Sequence, residues 1–378
     1  MPTPTRAQAP TQDGTNQALP GAQGGSIVPA DLMPKKWKAP QDEATRAKAL
    51  SDNGKAAPPT EHQRCWHCFP DLPAAGVGDW YGNGNPGESE RCGQPLKRFL
   101  QPGPHRCFPT RQRRKIYLAP LGDVSSAPSP QVFRDLLQRW FLLECEVMPS
   151  MTTKELEAIE RNPTGCGYGP QLECPSATQA LYAKKPKDAY IVLGYSMEDL
   201  CDTRKGFQFL FGQANLDLGC GMFSFARYGD DVALDSPRFL RRCGMVLCHE
   251  AMHLLGIKHC VYASCIMNGS NHLDESEARP WAACPVDLRK LQLTLDQAKI
   301  EGKASTPVDL VARERAMAAF FYAHGLHADA KFSRGVAAAL TGQPEREAGS
   351  EAEREPMAMP AAVADEAEVG APSAAEPK

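Results

Sequence analysis

The chain has 378 residues, enough for one or two domains with a sizeable core, and a formal net charge of −3 at pH 7. This balance gives no reason to expect nucleic acid or a membrane as a partner, and no apolar run approaches the ~20 residues that span a bilayer. The N-terminus lacks the apolar stretch of a secretory signal. We therefore predict an intracellular protein, cytoplasmic or nuclear, whose 14 cysteines are thiols or metal ligands. The oligomeric state stays open.

Both ends of the chain have the composition of disordered segments. Residues 1–61 are rich in Pro, Gly, Ala, Thr and Gln, and they cannot bury enough apolar surface to offset the entropy of ordering. Residues 345–378 carry nine acidic and three basic residues among Ala and Pro, which is typical of an acidic solvated tail. Between these ends we predict a Cys-bearing irregular segment (62–113), a catalytic domain (114–300) and a helical extension (301–344).

The Cys-bearing segment contains Cys65, Cys68, Cys92, His105 and Cys107. A C-x-x-C pair followed by further Cys and His can build a small zinc module. The second half of the segment lacks a clean pair, however, and it carries no basic face or helix suited to nucleic acid. We favour the alternative that this segment wraps the catalytic domain without metal.

The hydrophobic pattern beyond residue 114 alternates between strands and helices. The predicted strands are 116–121, 144–148, 188–195, 207–211 and 222–225. The predicted helices are the one that Ser129-Pro130 opens, 177–184, the one that Ser236-Pro237 opens, 286–299, and 307–323 after Thr306-Pro307. Residues 150–175, which are rich in Gly, are predicted to form a long loop. This pattern indicates an α+β fold with a mixed sheet, packed helices and a cleft between two subdomains.

The most informative motif is the run from His249 to His259, which reads H-E-x-x-H-x-x-G-x-x-H. On a helix, His249 and His253 share one face and can close on one metal ion. A glycine at position 256 can turn the chain so that His259 folds back as a third ligand. Three protein ligands leave a fourth position open, which is typical of a catalytic zinc rather than a structural one.

Glu250 follows the first histidine and is placed to reach a water in the open position rather than the metal itself. It is therefore the candidate general base for attack on a peptide carbonyl. Arg227 and Tyr228 are candidates for contacting the developing oxyanion, or are packed side chains without that role. We predict that Gly221–Phe225 offers a sheet edge to which the substrate adds as a strand.

The sequence continues past the third histidine as HEAMHLLGIKHCVYASCIM and later CPVD. This run resembles the archaemetzincin (archaelysin) family of metzincin-like zinc metalloproteases, and the similarity extends to residues 116–122, 188–200 and 221–229. The resemblance implies a zincin/metzincin-like catalytic domain with an active-site helix and a Met-turn at Met267. It also implies a second, structural zinc, here on Cys260, Cys265 and Cys284.

One position departs from the family pattern, because Asp287 stands where the last cysteine of C-x-x-C belongs. Zinc accepts carboxylate oxygen, so Asp287 can complete the second site. The alternative, which we favour from sequence, is that Asp287 only caps a helix that begins near Leu288.

The motifs together predict a zinc metallopeptidase, a hydrolase that acts on a peptide or protein substrate with no nucleic acid or membrane partner. The alternative is a zinc-binding interaction scaffold with little or no protease activity. Glu250 argues against the scaffold, since a purely structural site has no use for a carboxylate beside its ligand. Sequence does not indicate which peptide is cut, or whether cleavage is internal or terminal.

Overall fold

The structure is a computed structural model. The residues that it describes are 41–51, 58–72, 93–101, 108–152, 154–155, 160–161, 168–270, 273–300 and 308–343. The predicted disorder of residues 1–40 and of the acidic tail falls outside this range, as do Cys92, His105 and Cys107 of the Cys-bearing segment.

The described residues begin and end with helices, and most of the strands lie between these two groups. The helices are α1 (Glu43–Leu50), α2 (Thr60–Arg64), α3 (Leu96–Phe99), α4 (Pro130–Phe141), α5 (Cys174–Ala183), α6 (Pro237–Leu254), α7 (Leu273–Glu277), α8 (Pro285–Ile300), α9 (Leu310–Ala323) and α10 (His327–Thr341). The strands are β1 (Lys115–Leu121), β2 (Cys145–Val147), β3 (Glu160–Arg161), β4 (Gln171–Glu173), β5 (Ala189–Ser196), β6 (Asp199–Asp202), β7 (Phe207–Leu210), β8 (Gly212–Asn215) and β9 (Cys220–Ser224).

The larger sheet has five strands in the order β2-β1-β5-β9-β8. The first four strands are parallel to their neighbours and β8 alone is antiparallel, so the predicted mixed sheet with packed helices is confirmed. β5 is buried along its whole length, as its continuous apolar run predicts. β9 lies between β5 and β8, so the prediction that Gly221–Phe225 forms a sheet edge is wrong. Among the described strands, the one at the edge beside β9 is β8, whose sequence GQAN carries no apolar alternation from which to predict it.

A second sheet of four short strands has the order β3-β4-β6-β7. The prediction of a continuous loop at 150–175 is wrong for β3 and β4, and β6 was not predicted. These strands have two to four residues, which is too short for a period of two to show in the sequence. The two sheets meet where β7 runs into β8 through Phe211.

Two helices begin as their sequences predict. The Ser129 side chain accepts a hydrogen bond from the Gln131 amide (3.3 Å) and Pro130 opens α4. The Ser236 hydroxyl accepts from the Phe239 amide (3.1 Å) and Pro237 opens α6. α6 is buried on most of its faces, which places it in the centre of the molecule.

The N-terminal helical turns and the C-terminal helices share one hydrophobic core with α6. The prediction of disorder through residue 61 is wrong for α1, because Ala49 and Leu50 dock into this core. Asp309 caps α9, so this helix begins at Leu310 rather than at Thr306-Pro307, which lie outside the described residues. Within the described part of the chain, no helix is long and apolar enough to cross a membrane.

Gly244 on α6 and Gly335 on α10 form a natural pair for testing the core. A Cβ at Gly244 would lie 2.5 Å from Cζ2 of Trp281, whereas a Cβ at Gly335 would meet nothing within 4 Å. We expect Gly244→Ala to lower the free energy of unfolding by about 1–3 kcal/mol through overpacking. Gly335→Ala should raise it by about 0.5–1 kcal/mol through helix propensity. Urea denaturation measures both, and stabilisation by Gly244→Ala would contradict the packing of α6 against Trp281.

Candidate metal centre

His249 and His253 project from the last turns of α6, and their ring centroids lie 4.6 Å apart. His249 Nδ1 is 2.7 Å from the carbonyl oxygen of Ile266, and His253 Nδ1 is 2.6 Å from that of Ile257. Because a carbonyl only accepts, each Nδ1 carries the hydrogen and donates it. The Nε2 atom of each ring therefore keeps its lone pair for a metal ion, in the outer-shell arrangement that is usual for zinc ligands.

The chain leaves α6 through a glycine turn that returns the third histidine to the first two. Gly256 has φ +82°, its amide donates to His253 O (2.8 Å), and the Ile257 amide donates to Met252 O (3.2 Å). These two bonds form a Schellman motif, which needs a left-handed residue at this position. The turn brings the His259 ring to 4.9 Å from that of His253, between centroids.

The potential ligand atoms of His249, His253 and His259 all lie within 4.8 Å of one another, so they are close enough to converge on one ion. Burial, together with the neighbouring His253, holds the pKa of His249 well below its usual value. A neutral imidazole is the form that binds metal. The three predicted histidines are thus brought together in a state that fits zinc.

Glu250 is half-buried beside the edge strand. Its Cγ atom lies 3.3 Å from the position that a Cβ on Gly212 would take. Burial raises the pKa of Glu250 to about 7, and the positive charge of Arg279 opposes this rise. A carboxylate whose pKa lies near neutrality can both accept and return a proton, as a general base must.

Arg279 was not singled out in the sequence, because no motif marks it. Its guanidinium group donates to the backbone oxygen of Asn268 and to Ser276 Oγ (2.9 Å). The residue is buried and its charge acts on Glu250 and His249. Its positive charge opposes the rise in the pKa of Glu250 and helps to lower the pKa of His249.

The two candidates for oxyanion contact differ in their surroundings. Arg227 forms a two-pronged ion pair with buried Asp199 (2.8 and 2.7 Å) and lies between the rings of Tyr168 and Phe209. Arg227 is therefore a packed side chain whose guanidinium group is already occupied by Asp199. Tyr228 is buried and stacks on Phe211 with 5.1 Å between centroids.

A second group of potential ligands comprises Cys260, Cys265, Cys284 and Asp287, all buried and within 4.8 Å of one another. Cys260 Sγ is 3.5 Å from Cys284 Sγ. Asp287 Oδ2 is 3.4 Å from Cys284 Sγ and 3.7 Å from Cys265 Sγ. The cluster joins the loop after His259 to the start of α8.

Asp287 is not the helix cap that we favoured from sequence. α8 begins at Pro285, so Asp287 lies inside its first turn with its carboxylate toward the sulfur atoms. Its other oxygen accepts from Lys290 Nζ (2.8 Å), and both side chains are buried. Burial raises the pKa of Asp287 to about 7, while the Lys290 charge opposes the rise. The spacing of residues along the chain does not indicate that the Asp287 carboxylate turns toward the sulfur atoms.

Asn268 holds the loop that carries the cysteines, and sequence analysis gave it no role. Its side-chain oxygen accepts from the Cys265 amide (2.7 Å), and its Nδ2 donates to the backbone oxygens of Cys260 and Ala263 (both 3.0 Å). The Cys260 amide donates to Met267 O (2.8 Å). The loop is thus closed by its own hydrogen bonds.

The cysteines of the N-terminal segment are arranged differently. Cys65 is buried and its thiol donates to Glu61 O (3.3 Å), while Cys68 Sγ lies 3.6 Å from His67 Nε2. Among the described residues, neither cysteine belongs to a group of three potential metal ligands. The described part of the chain also contains no disulfide.

Comparison with known proteins finds relatives that share one family name. The chain is 31% identical to archaemetzincin-2 of Pongo abelii in an alignment 235 residues long that covers 52% of this chain and 64% of that protein. It is 29% identical to human archaemetzincin-1 in an alignment 228 residues long that covers 51% of this chain and 45% of the relative. About half of this chain is therefore similar to the archaemetzincins, which confirms the predicted resemblance. No protein-family model matches the chain.

The match to the relatives is partial in length. The chain covers 64% of archaemetzincin-2, less than two thirds of that protein. Among solved structures, the archaemetzincin of Methanopyrus kandleri is 23% identical, with a TM-score of 0.37, and the match covers 49% of this chain and 96% of that one.

Removal of the third histidine tests the geometry of the histidine cluster. We expect His259→Ala to weaken zinc binding by more than about 10²-fold, because loss of an outer-shell partner alone costs about 10–100-fold. His327→Ala is the matched control, since His327 is exposed on α10 and distant in sequence. Zinc retained after dialysis against a chelator gives the measurement. Equal retention in both variants would show that His259 does not bind the metal.

Proposed function

We propose that this chain is a zinc-dependent metallopeptidase that hydrolyses peptide bonds in a peptide or protein substrate. The observation that carries the proposal is the set of three imidazoles converging beside Glu250. His249 and His253 each donate a hydrogen bond from Nδ1 to a backbone carbonyl, which leaves Nε2 for the metal. The similarity to archaemetzincin-2 supports the same reaction class.

In this proposal His249, His253 and His259 hold zinc and leave one side of the site open. A zinc ion supplies Lewis-acid chemistry there, lowering the pKa of water and polarising a carbonyl oxygen. Glu250 accepts the proton of the attacking water and later delivers it to the leaving amine. Its pKa of about 7 suits both transfers. The charge of Arg279 limits that rise in pKa, which favours the ionised carboxylate that the first transfer needs.

The substrate backbone adds to the sheet at β8. Among the described strands, β8 is one of the two edges of the five-stranded sheet and pairs with β9 alone, so a substrate strand can add to its other side. Gly212, the first residue of β8, adjoins Glu250, so an added strand runs past the catalytic carboxylate. A substrate bound this way presents a main-chain carbonyl to the site whatever its side chains are.

We further propose a second zinc on Cys260, Cys265 and Cys284, with Asp287 Oδ2 as the fourth ligand. Three thiolates and one carboxylate fit the zinc coordination shell, and Lys290 orients the carboxylate through Oδ1. Met267 is the proposed Met-turn; it is fully buried, and its backbone bonds to Cys260. Thiolate ligands require reduced cysteines, which supports an intracellular location, cytoplasmic or nuclear.

The general base can be tested without disturbing the metal. We expect Glu250→Gln to keep its zinc and lose about 10²–10⁴ in kcat, because the positioned proton acceptor is gone. Glu43→Gln, at an exposed position on α1, is the control and should match the parent. Hydrolysis of a peptide library gives the rate, and metal analysis gives the zinc content. A Glu250→Gln enzyme as fast as the parent would refute the assignment. A zinc-loaded parent inactive on every peptide would favour the interaction scaffold.

Cobalt substitution tests the cysteine cluster. The parent should bind two ions per chain and show thiolate charge-transfer absorption from three sulfur ligands. Asp287→Cys should increase that absorption and tighten the site, because a fourth thiolate replaces an oxygen. Asp274→Asn, an exposed change on α7, should leave the spectrum unaltered. An unchanged spectrum in Asp287→Cys would mean that position 287 does not face the ion.

A further inference from the structure

The loop that carries His259 forms hydrogen bonds with Gln94, a residue of the N-terminal segment that lies just before α3. Gln94 Nε2 donates to the backbone oxygen of Gly256 (3.0 Å), and Gln94 Oε1 accepts from the Lys258 amide (3.0 Å). The side chain is buried. One amide group therefore satisfies a donor and an acceptor on the two residues that flank Ile257, directly before the third histidine.

Gly93 lets the two segments approach closely enough for these bonds. It has φ +66°, and a Cβ at this position would lie 2.6 Å from Val261 Cγ2 and 2.8 Å from the Tyr262 hydroxyl oxygen. The positive φ and the short distances to Val261 and Tyr262 both disfavour any residue with a Cβ at this position. The backbone at 93–94 thus packs directly against residues 256–262.

Two further contacts reach the same loop from other parts of the N-terminal segment. Arg46 Nε on α1 donates to the backbone oxygen of Tyr262 (3.0 Å), and the Ser264 amide donates to Pro70 O (2.8 Å). These bonds lie beyond His259, whereas the Gln94 bonds lie before it. Residues of the N-terminal segment therefore bind the loop on both sides of the third histidine.

We infer that Gln94 is a positioning residue for the histidine metal site, acting through the backbone that presents His259. The inference rests on the proposed function, in which His249, His253 and His259 hold zinc. His249 and His253 are placed by a buried helix, but His259 lies on a loop whose order depends on its partners. Without the Gln94 amide, Gly256 O and Lys258 N–H would turn toward water, and His259 would sample positions away from the metal. Holding a ligand in place before binding favours metal retention.

The experiment compares zinc retention in variants of the full chain. Gln94→Met preserves the length of the side chain and removes both hydrogen bonds, and Gln94→Glu keeps the acceptor for the Lys258 amide but loses the donor. Gln101→Met, at an exposed position two residues after α3, is the matched control. Zinc release to a chromophoric chelator reports affinity, and cobalt absorption follows the cysteine cluster separately.

We expect Gln94→Met to weaken the histidine site about tenfold, with Gln94→Glu between it and the parent. Cobalt–thiolate absorption should stay unchanged, because that signal comes only from sulfur ligands. Gln101→Met should match the parent. Should Gln94→Met fail to fold, Gln94→Glu supplies the measurement.

Unaltered zinc affinity in Gln94→Met, or in Gln94→Glu where that variant is used, overturns the positioning role. A fall in melting temperature of the zinc-free protein with unchanged zinc affinity also overturns it, since the residue would then serve stability alone. The proposed function fails separately, through His259→Ala. If His259→Ala loses zinc and Gln94→Met does not, only the role of Gln94 is wrong.

Discussion

The hydrogen bonds between imidazole rings and backbone carbonyls are the constraint on which the histidine site depends. α6 sets the spacing of His249 and His253, but a helix does not decide how the rings rotate. The carbonyls of Ile257 and Ile266 fix the ring orientations, because each accepts a hydrogen bond from an Nδ1 atom and leaves Nε2 available to a metal ion. Both carbonyls belong to the chain that follows α6. The loop that supplies the third ligand therefore also orients the first two.

The same loop connects the two candidate metal centres. His259 faces the histidine cluster, and Cys260, the next residue, faces the cysteine cluster. The Cys260 amide bonds to Met267, and Ile266 beside it accepts from His249. A shift of the cysteine cluster must therefore move backbone atoms that hold imidazole rings. Since the region is buried, such a shift has no free volume to absorb it.

Much of the chemistry was predictable because it is encoded in local spacing. The histidine motif predicted that the three imidazoles converge, as they do, and Gly256 adopts the left-handed conformation that the turn requires. Serine caps and N1 prolines predicted the starts of α4 and α6. Predictions failed where a feature was too short or depended on distant residues. β8 has only four residues and no alternation, and α1 is ordered because its end docks into a core formed mostly by residues beyond 114.

The sequence by itself determined which residue types can bind metal, their order and their spacing along one helix and one turn. These are properties of contiguous residues, governed by helical periodicity and by the freedom of glycine. The tertiary structure alone decided what faces those residues. It turned Asp287 toward three sulfur atoms, set Lys290 behind it, placed Arg279 near Glu250 and brought Gln94 to the turn before His259. The reason is physical: contacts between segments far apart in the chain arise from packing of the whole core, which no local pattern records.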